Sequence, residues 1–150
     1  MPVRERIQQW RFKNAADEAV VSLIVAATHI EQAAESVFER HGITGDQYNV
    51  LRILRGVHPA GHPRCEVARR MINPSPDVTR MLDRLLRRGL VARVRDSADR
   101  RLSVATITTA GLALLARVDP ELESVQETMT AMLTPAQLRR LARLCDALVP

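Results

Sequence analysis

A single stretch rich in arginine, followed by two short alternating segments, most constrains how this chain can fold. Its apolar side chains recur every three or four residues, which predicts a helix over residues 76–88 with one buried face. That face comprises Val78, Met81, Leu82, Leu85 and Leu86. The opposite face carries one acidic residue and four arginines, which are Asp77, Arg80, Arg84, Arg87 and Arg88. Such a charged face is usually only solvated. Whether this one binds a partner must therefore be inferred from the neighbouring segments.

Local signals set the limits of this helix. Ser75 is the predicted N-cap, and Pro76 occupies the first helical position, where its missing N–H costs nothing. Gly89 suits the left-handed position that follows a helix. Residues 90–95 and 102–108 then alternate between apolar and polar side chains, which predicts two strands joined by a turn at residues 96–99. The sequence therefore predicts a helix followed by a β-hairpin with a basic tip.

The excess positive charge of the chain is concentrated around this helix and hairpin. Residues 64–101 contain 11 arginines against 5 acidic residues, whereas the rest of the chain contains 11 basic and 12 acidic residues. A localised basic surface is the electrostatic footprint of a polyanionic partner. A helix fits the major groove of duplex DNA, and a hairpin can reach the minor groove or the backbone. The segment therefore predicts a winged helix-turn-helix that binds double-stranded DNA.

Apolar periodicity predicts further helices before this segment. Residues 14–40 form one long predicted helix that Gly42 ends. Thr44 and Gln47 have the spacing of a capping box that opens a second helix ending near Gly56. A turn is predicted over residues 57–63 and a short helix over residues 64–71. Residues 1–13 form either an extra helical turn or an arm, in which the lone Trp10 is expected to be a packing anchor.

Two helices are predicted after the hairpin. Thr108 or Thr109 caps the first, which continues through Pro120, where a bend is expected. Thr134 and Gln137 form a second capping box that opens the last helix. The apolar stripe of that last helix comprises Leu138, Leu141, Leu144, Cys145 and Leu148. The predicted fold is thus mainly α with a small β-hairpin wing.

Four blocks of this sequence resemble MarR-family transcriptional regulators, in the same order and with the same spacing. They lie at residues 43–51, at residues 79–85 with 89–91, at residues 99–101 and at residues 107–111. The resemblance covers roughly residues 43–115. It implies a winged helix-turn-helix over residues 43–111, and dimerisation helices over residues 1–42 and 112–150.

The resemblance also implies which side chains contact DNA. On the helix they are Ser75, Asp77, Thr79, Arg80, Arg84 and Arg87. The first four are expected at base edges or flanking phosphates, and the last two nearer the backbone. At the wing, either Arg100 or Arg101 is expected to enter the minor groove, while Asp99 orients it through a salt bridge.

The implied partner is a second copy of the chain, and the implied target is a pseudo-palindromic operator. The first and last helices carry broad apolar stripes, which pack across a two-fold axis or, alternatively, fold back on the core of one subunit. The dimer is the preferred alternative. The resemblance further implies a repressor that is released by a small lipophilic or phenolic effector.

Composition limits the other function classes. No apolar run reaches the roughly 20 residues of a membrane span, and the N-terminus lacks an apolar signal core, so a cytoplasmic protein without membrane contact is expected. The cysteines and histidines show no metal-ligand spacing, and no catalytic motif or cofactor-binding loop is present, so neither a metal, a cofactor nor an enzyme is expected.

Cys65 could act as a redox switch beside Arg64, although a small packed residue is the favoured interpretation. Two alternatives stay open: a winged-helix module for protein assembly or RNA without operator recognition, and a small ligand-binding enzyme.

Overall fold

The computed structural model describes residues 2–73, 77–95 and 103–149, which form a mainly helical fold with a small antiparallel sheet. In chain order the helices and strands are α1 (Val3–Arg6), α2 (Ala15–Arg40), α3 (Gly45–Arg55), β1 (His62–Pro63), α4 (Arg64–Arg70), α5 (Val78–Arg87), β2 (Val91–Arg95), β3 (Ser103–Ile107), α6 (Thr109–Thr130) and α7 (Pro135–Asp146). The predicted fold class, a winged helix-turn-helix with additional N- and C-terminal helices, is confirmed.

Side-chain caps place the helix starts where the sequence predicts them. The Thr44 hydroxyl accepts a hydrogen bond from the Gln47 backbone N–H, and the Gln47 side chain accepts one from the Thr44 N–H, which completes the capping box of α3. The same reciprocal pair forms at the start of α7. Thr108, rather than Thr109, caps α6 by accepting from Gly111 N at 3.1 Å. Pro120 lies inside α6, and the bend expected there stays a prediction.

The arginine-rich helix α5 begins later than the sequence predicts. Its first residue is Val78, and Asp77 before it has φ −111° and ψ 27°, outside the helical region. The start predicted at Pro76 is therefore wrong, because the conformation of Asp77 interrupts the helix before Val78. Ser75 and Pro76 lie outside the described residues. At the other end Gly89 adopts φ +68°, as predicted, and the N–H of Leu90 returns to the carbonyl of Leu85.

The sheet contains the predicted hairpin and one additional strand. β2 and β3 pair antiparallel from Val91 opposite Ile107 to Arg95 opposite Ser103. The two-residue strand β1 pairs with the other edge of β3, giving the order β1-β3-β2. Residues 62 and 63 were expected to be turn, and a strand this short forms only because β3 offers a free edge. The predicted turn, residues 96–99, lies outside the described residues.

One hydrophobic core joins the end of α2, the winged unit and the first half of α6. Leu51, Leu54, Leu85 and Leu115 have no exposed side-chain surface. The predicted division into residues 43–111 and flanking dimerisation helices stays a prediction, although this core links the two parts. Trp10 does not join the core: it is 66% exposed, so the expectation of a packing anchor is wrong for the single chain. Among the described residues no helix is long and apolar enough to span a membrane.

Candidate nucleic-acid interface

The fold presents the polar face of α5 to solvent. Val78, Leu82 and Leu85 are buried, which turns the other side of the helix outward. Thr79 and Arg80 are exposed near its start, and the Arg80 side chain is 78% exposed with its guanidinium 3.5 Å from the Asp77 carboxylate. A guanidinium held at one end by a carboxylate and otherwise free is suited to contact base edges or phosphates.

Arg84 and Arg87 belong to a second part of the same face. They line a groove of about 450 Å³ beside the turn between α2 and α3, together with Gly42, Ile43, Thr44, Gln47 and Arg88. Arg88 donates a hydrogen bond of 2.7 Å to the carbonyl of Gly42, which fixes one wall of that groove. Arg87 lies about 10 Å along the helix axis from Arg80. The structure thus separates the arginines at the two ends of α5, as expected if only the first half of the helix reads bases.

An ion pair that the sequence does not predict joins α5 to the hairpin. The guanidinium of Arg93 on β2 contacts the carboxylate of Asp83 on α5. Asp83 is the only acidic side chain of α5, and Arg93 is exposed on β2. These opposite charges on neighbouring elements are the sequence feature that could have predicted the pair. The pair links α5 to β2 through a side-chain contact. Asp99, Arg100 and Arg101, the predicted wing residues, lie outside the described residues, as does Ser75.

A second unpredicted cluster connects the winged unit to α6. The carboxylate of Asp119 accepts hydrogen bonds from the Tyr48 hydroxyl at 2.7 Å and from Arg55 at 2.5 Å. Burial raises the pKa of Tyr48 to about 12, and the hydrogen bond to Asp119 adds to this effect. Burial also acts to raise the pKa of Asp119, but the hydrogen bonds from Arg55 and Tyr48 outweigh it and lower that pKa. The cluster ties α3 to α6 and so to the helices outside the winged unit.

Helix α4 packs beside α5 to complete the helix-turn-helix. Glu66 binds Arg69 at 2.9 Å and Arg70 at 3.4 Å, and the hydrogen bond from Arg69 lowers the pKa of Glu66. Cys65 at the start of α4 is exposed, so the interpretation of Cys65 as a small packed residue is wrong; the first turn of α4 turns it to solvent. Among the described residues no group of side chains could hold a metal ion.

A cleft of about 570 Å³ lies between α2, α3 and α6, next to the segment that leads into α5. The residues that line it are Glu31, Gln32, Ala34, Glu35, Phe38, Thr44, Gly45, Asp46, Tyr48, Asn49, Arg52, Ile72, Asn73, Leu122 and Gln126. The side chain of Asn49 accepts a hydrogen bond of 2.8 Å from the N–H of Ile72, which ties α3 to this segment. The cleft is therefore bordered both by the outer helices α2 and α6 and by residues 72 and 73, which lead into the arginine-rich helix α5.

The helix-turn-helix, the exposed arginine face and the paired strands of the wing define a winged-helix DNA-binding protein. Residues 43–103 match the family model described as the MarR family. A MarR transcription factor from Planctomyces limnophilus shares 34% identity, with a TM-score of 0.69, and the match covers 91% of this chain and 99% of that one. The chain therefore belongs to the MarR family of DNA-binding transcriptional regulators.

Two further relatives are similar over most of their length. Sco3205, a MarR family transcriptional regulator from Streptomyces coelicolor solved in complex with DNA, shares 25% identity with a TM-score of 0.78, over 93% of this chain and 89% of that chain. The homoprotocatechuate degradative operon repressor of Escherichia coli is 29% identical over 135 residues, which are 85% of this chain and 88% of the relative. Members of this family are regulators and generally not enzymes.

Proposed function

We propose that the protein is a homodimeric repressor that binds a pseudo-palindromic operator in the cytoplasm and is released by a small lipophilic ligand. The observation that carries this proposal is the exposed arginine face of α5, which is set on a buried apolar face and joined to the hairpin by Asp83 and Arg93. This arrangement presents one helix and one wing to the same duplex.

Each predicted DNA-binding residue takes a role that follows from its position. Thr79 and Arg80, at the exposed start of α5, would contact base edges, with Asp77 orienting Arg80. Arg84 and Arg87, farther along the helix, would contact the backbone. We extend the proposal to Ser75 before the helix, and to Arg100 or Arg101 at the wing with Asp99 as the orienting carboxylate, on the family resemblance alone.

Exposed apolar side chains on the outer helices support the homodimer. On α2 they are Val20, Leu23, Ile24 and Ile30, and at the C-terminus Leu141, Leu144, Leu148 and Val149. Helix α7 has no buried residue at all. A helix with a continuous apolar stripe and no core contact gains stability by packing on another surface, and a second copy offers the same stripe.

The cleft beside α3 supports release by a ligand. Its volume lies in the range of small-molecule sites, and it touches both α6 and the Ile72–Asn73 peptide. A ligand seated there would favour one position of this peptide, and hence of α5, over another. Because a ligand shifts a conformational equilibrium only through its different affinity for the two states, a site bordering the moving segment is the favourable place.

Selection of bound duplexes from a random pool tests the proposal. A pseudo-palindromic motif with half-sites about one helical turn apart, bound by two chains, is the expected result. In titrations on the selected duplex, Arg100→Ala and Arg101→Ala should weaken affinity and reduce its salt dependence. A pool that shows no enriched motif, or binding that neither substitution changes, would contradict the proposed function or its wing contacts respectively.

A further inference from the structure

We propose that the cleft between α2, α3 and α6 is selective for a lipophilic cation, such as an aryl-alkyl amine. The inference rests on the proposed function, since it names the chemical class of the ligand for the proposed effector site. It is carried by an aromatic floor and by an acidic rim whose three carboxylates are faced by a single guanidinium.

The floor of the cleft is apolar. Phe38 and Tyr48 lie with ring centroids 5.0 Å apart, and Leu122 lines the same cleft. Phe38 and Leu122 are each less than a tenth exposed, so their positions are fixed by the core. The Tyr48 hydroxyl already donates to Asp119, so Tyr48 contributes ring surface rather than a free hydroxyl to the cleft. An aromatic or alkyl group would be desolvated against this floor.

The rim of the cleft carries three carboxylates and one guanidinium. Glu31 and Glu35 come from α2, and Asp46 comes from the first turn of α3. Within the described part of the chain, none of these three carboxylates takes part in an ion pair or accepts a hydrogen bond. The one cation, Arg52, lies over the Tyr48 ring at 5.8 Å from its centroid. The rim therefore has an excess of negative charge.

The spacing of Glu31 and Glu35 adds a reason for a cation to bind. They are four residues apart on α2, where two like charges on neighbouring turns repel each other. An ammonium group between them would relieve that repulsion. A carboxylate ligand would meet the same rim unfavourably, except at Arg52.

Three compounds that differ only in their head group test this inference by calorimetry on the full-length protein without DNA. They are phenylbutylamine, which is protonated at neutral pH, phenylbutanol and phenylbutyrate. We expect the amine to bind tightest and the carboxylate weakest. Glu35→Gln should weaken amine binding about three- to tenfold and leave the alcohol unchanged, because an exposed charge contributes modestly. Glu39→Gln removes the same charge from the same helix outside the cleft and should change neither affinity.

The results separate this inference from the proposed function. Tightest binding of phenylbutyrate, or an amine affinity that Glu35→Gln leaves unchanged, would overturn selectivity for a cation while leaving an effector site in place. Failure of all three compounds to bind would overturn the cleft as a ligand site. Because none of these measurements includes DNA, a failure to bind an operator would be recognised separately in the duplex selection.

Discussion

Arg93 on β2 pairs with Asp83 on α5, and this ion pair directly links the two elements that would contact DNA. Both side chains are partly exposed, at 48% and 36%, so the pair contributes at most about 1 kcal/mol to folding. Its value lies in geometry. We expect the pair to hold β2 against α5 and so to orient the hairpin relative to the groove that α5 would occupy.

Asp83→Asn should therefore weaken operator binding about three- to tenfold while the melting temperature changes little. The direction of the change in operator affinity is informative, because removing an acidic group near DNA by itself strengthens binding to a polyanion. Anisotropy titrations and a thermal melt would check both parts. Glu39→Gln, which removes an equal charge from α2 outside the cleft, is the control. Tighter operator binding by Asp83→Asn would contradict the orienting role.

The Tyr48–Asp119 hydrogen bond can be followed directly, since Tyr48 is the only tyrosine in the chain. The near-ultraviolet absorbance of the phenolate should titrate near the pKa of about 12. In Asp119→Asn that pKa should fall part of the way toward 10.0, because the charge that opposes ionisation is gone while the burial that raises the pKa remains. Equal titrations of the two proteins would show that Asp119 does not act on the hydroxyl.

The raised pKa of Tyr48 also fixes the direction of a stability change. A group whose pKa is higher in the folded protein stabilises it fully below the unfolded value and loses that contribution as pH rises through the folded value. The stabilisation by Tyr48 is therefore lost between pH 10.0 and about 12. In denaturant titrations Tyr48→Phe should lose less stability than the wild type across this window. A parallel loss in both proteins would contradict the assignment.

Gly111 has a specific packing reason to be glycine. A Cβ there would meet the Leu90 carbonyl oxygen and lie 2.7 Å from Cγ1 of Ile107, and that same carbonyl accepts a hydrogen bond from Thr108. Gly111→Ala should cost about 1–3 kcal/mol of unfolding free energy, measured in denaturant. Gly56→Ala, where the nearest atom is 3.4 Å away and the backbone is helical, should be neutral or slightly stabilising. Equal effects would contradict the packing interpretation.

The proposed dimer predicts an asymmetry between two faces of α7. Leu144 lies within the exposed apolar stripe, whereas Arg143 lies on the opposite side of the same helix. Leu144→Glu should shift the protein toward the monomer in sedimentation experiments, and Arg143→Glu should leave the association constant nearly unchanged. A monomeric wild type, or a dimer that tolerates Leu144→Glu, would contradict the proposal that this stripe packs on a second copy of the chain.

Features that depend only on residues close together in the sequence were predictable. The capping boxes of Thr44 with Gln47 and Thr134 with Gln137, and the left-handed Gly89, depend on neighbouring residues alone, and all are present. The apolar periodicity of α5 likewise determines which face is buried. This is why the class of fold and the arginine face of the site followed from the sequence.

Features that depend on distant residues were not predictable. Strand β1 exists only because β3 lies beside it, and Asp119 reaches Tyr48 across 71 residues of chain. The Asp83–Arg93 pair likewise requires the packing angle between α5 and β2. Trp10 and Cys65 were expected to pack, but the sequence does not show which side of a short terminal or connecting segment faces solvent.

The most direct test of the central claim is an equilibrium titration at moderate salt of wild type and Arg80→Ala. Each would be titrated with the duplex obtained by selection and with a scrambled duplex of equal length. The wild type should bind its duplex at least about a thousandfold more tightly than the scrambled one. Arg80→Ala should lose roughly five- to a hundredfold of that discrimination, the worth of one bidentate base contact. No preference in the wild type, or full discrimination in Arg80→Ala, would contradict sequence reading by the arginine face of α5.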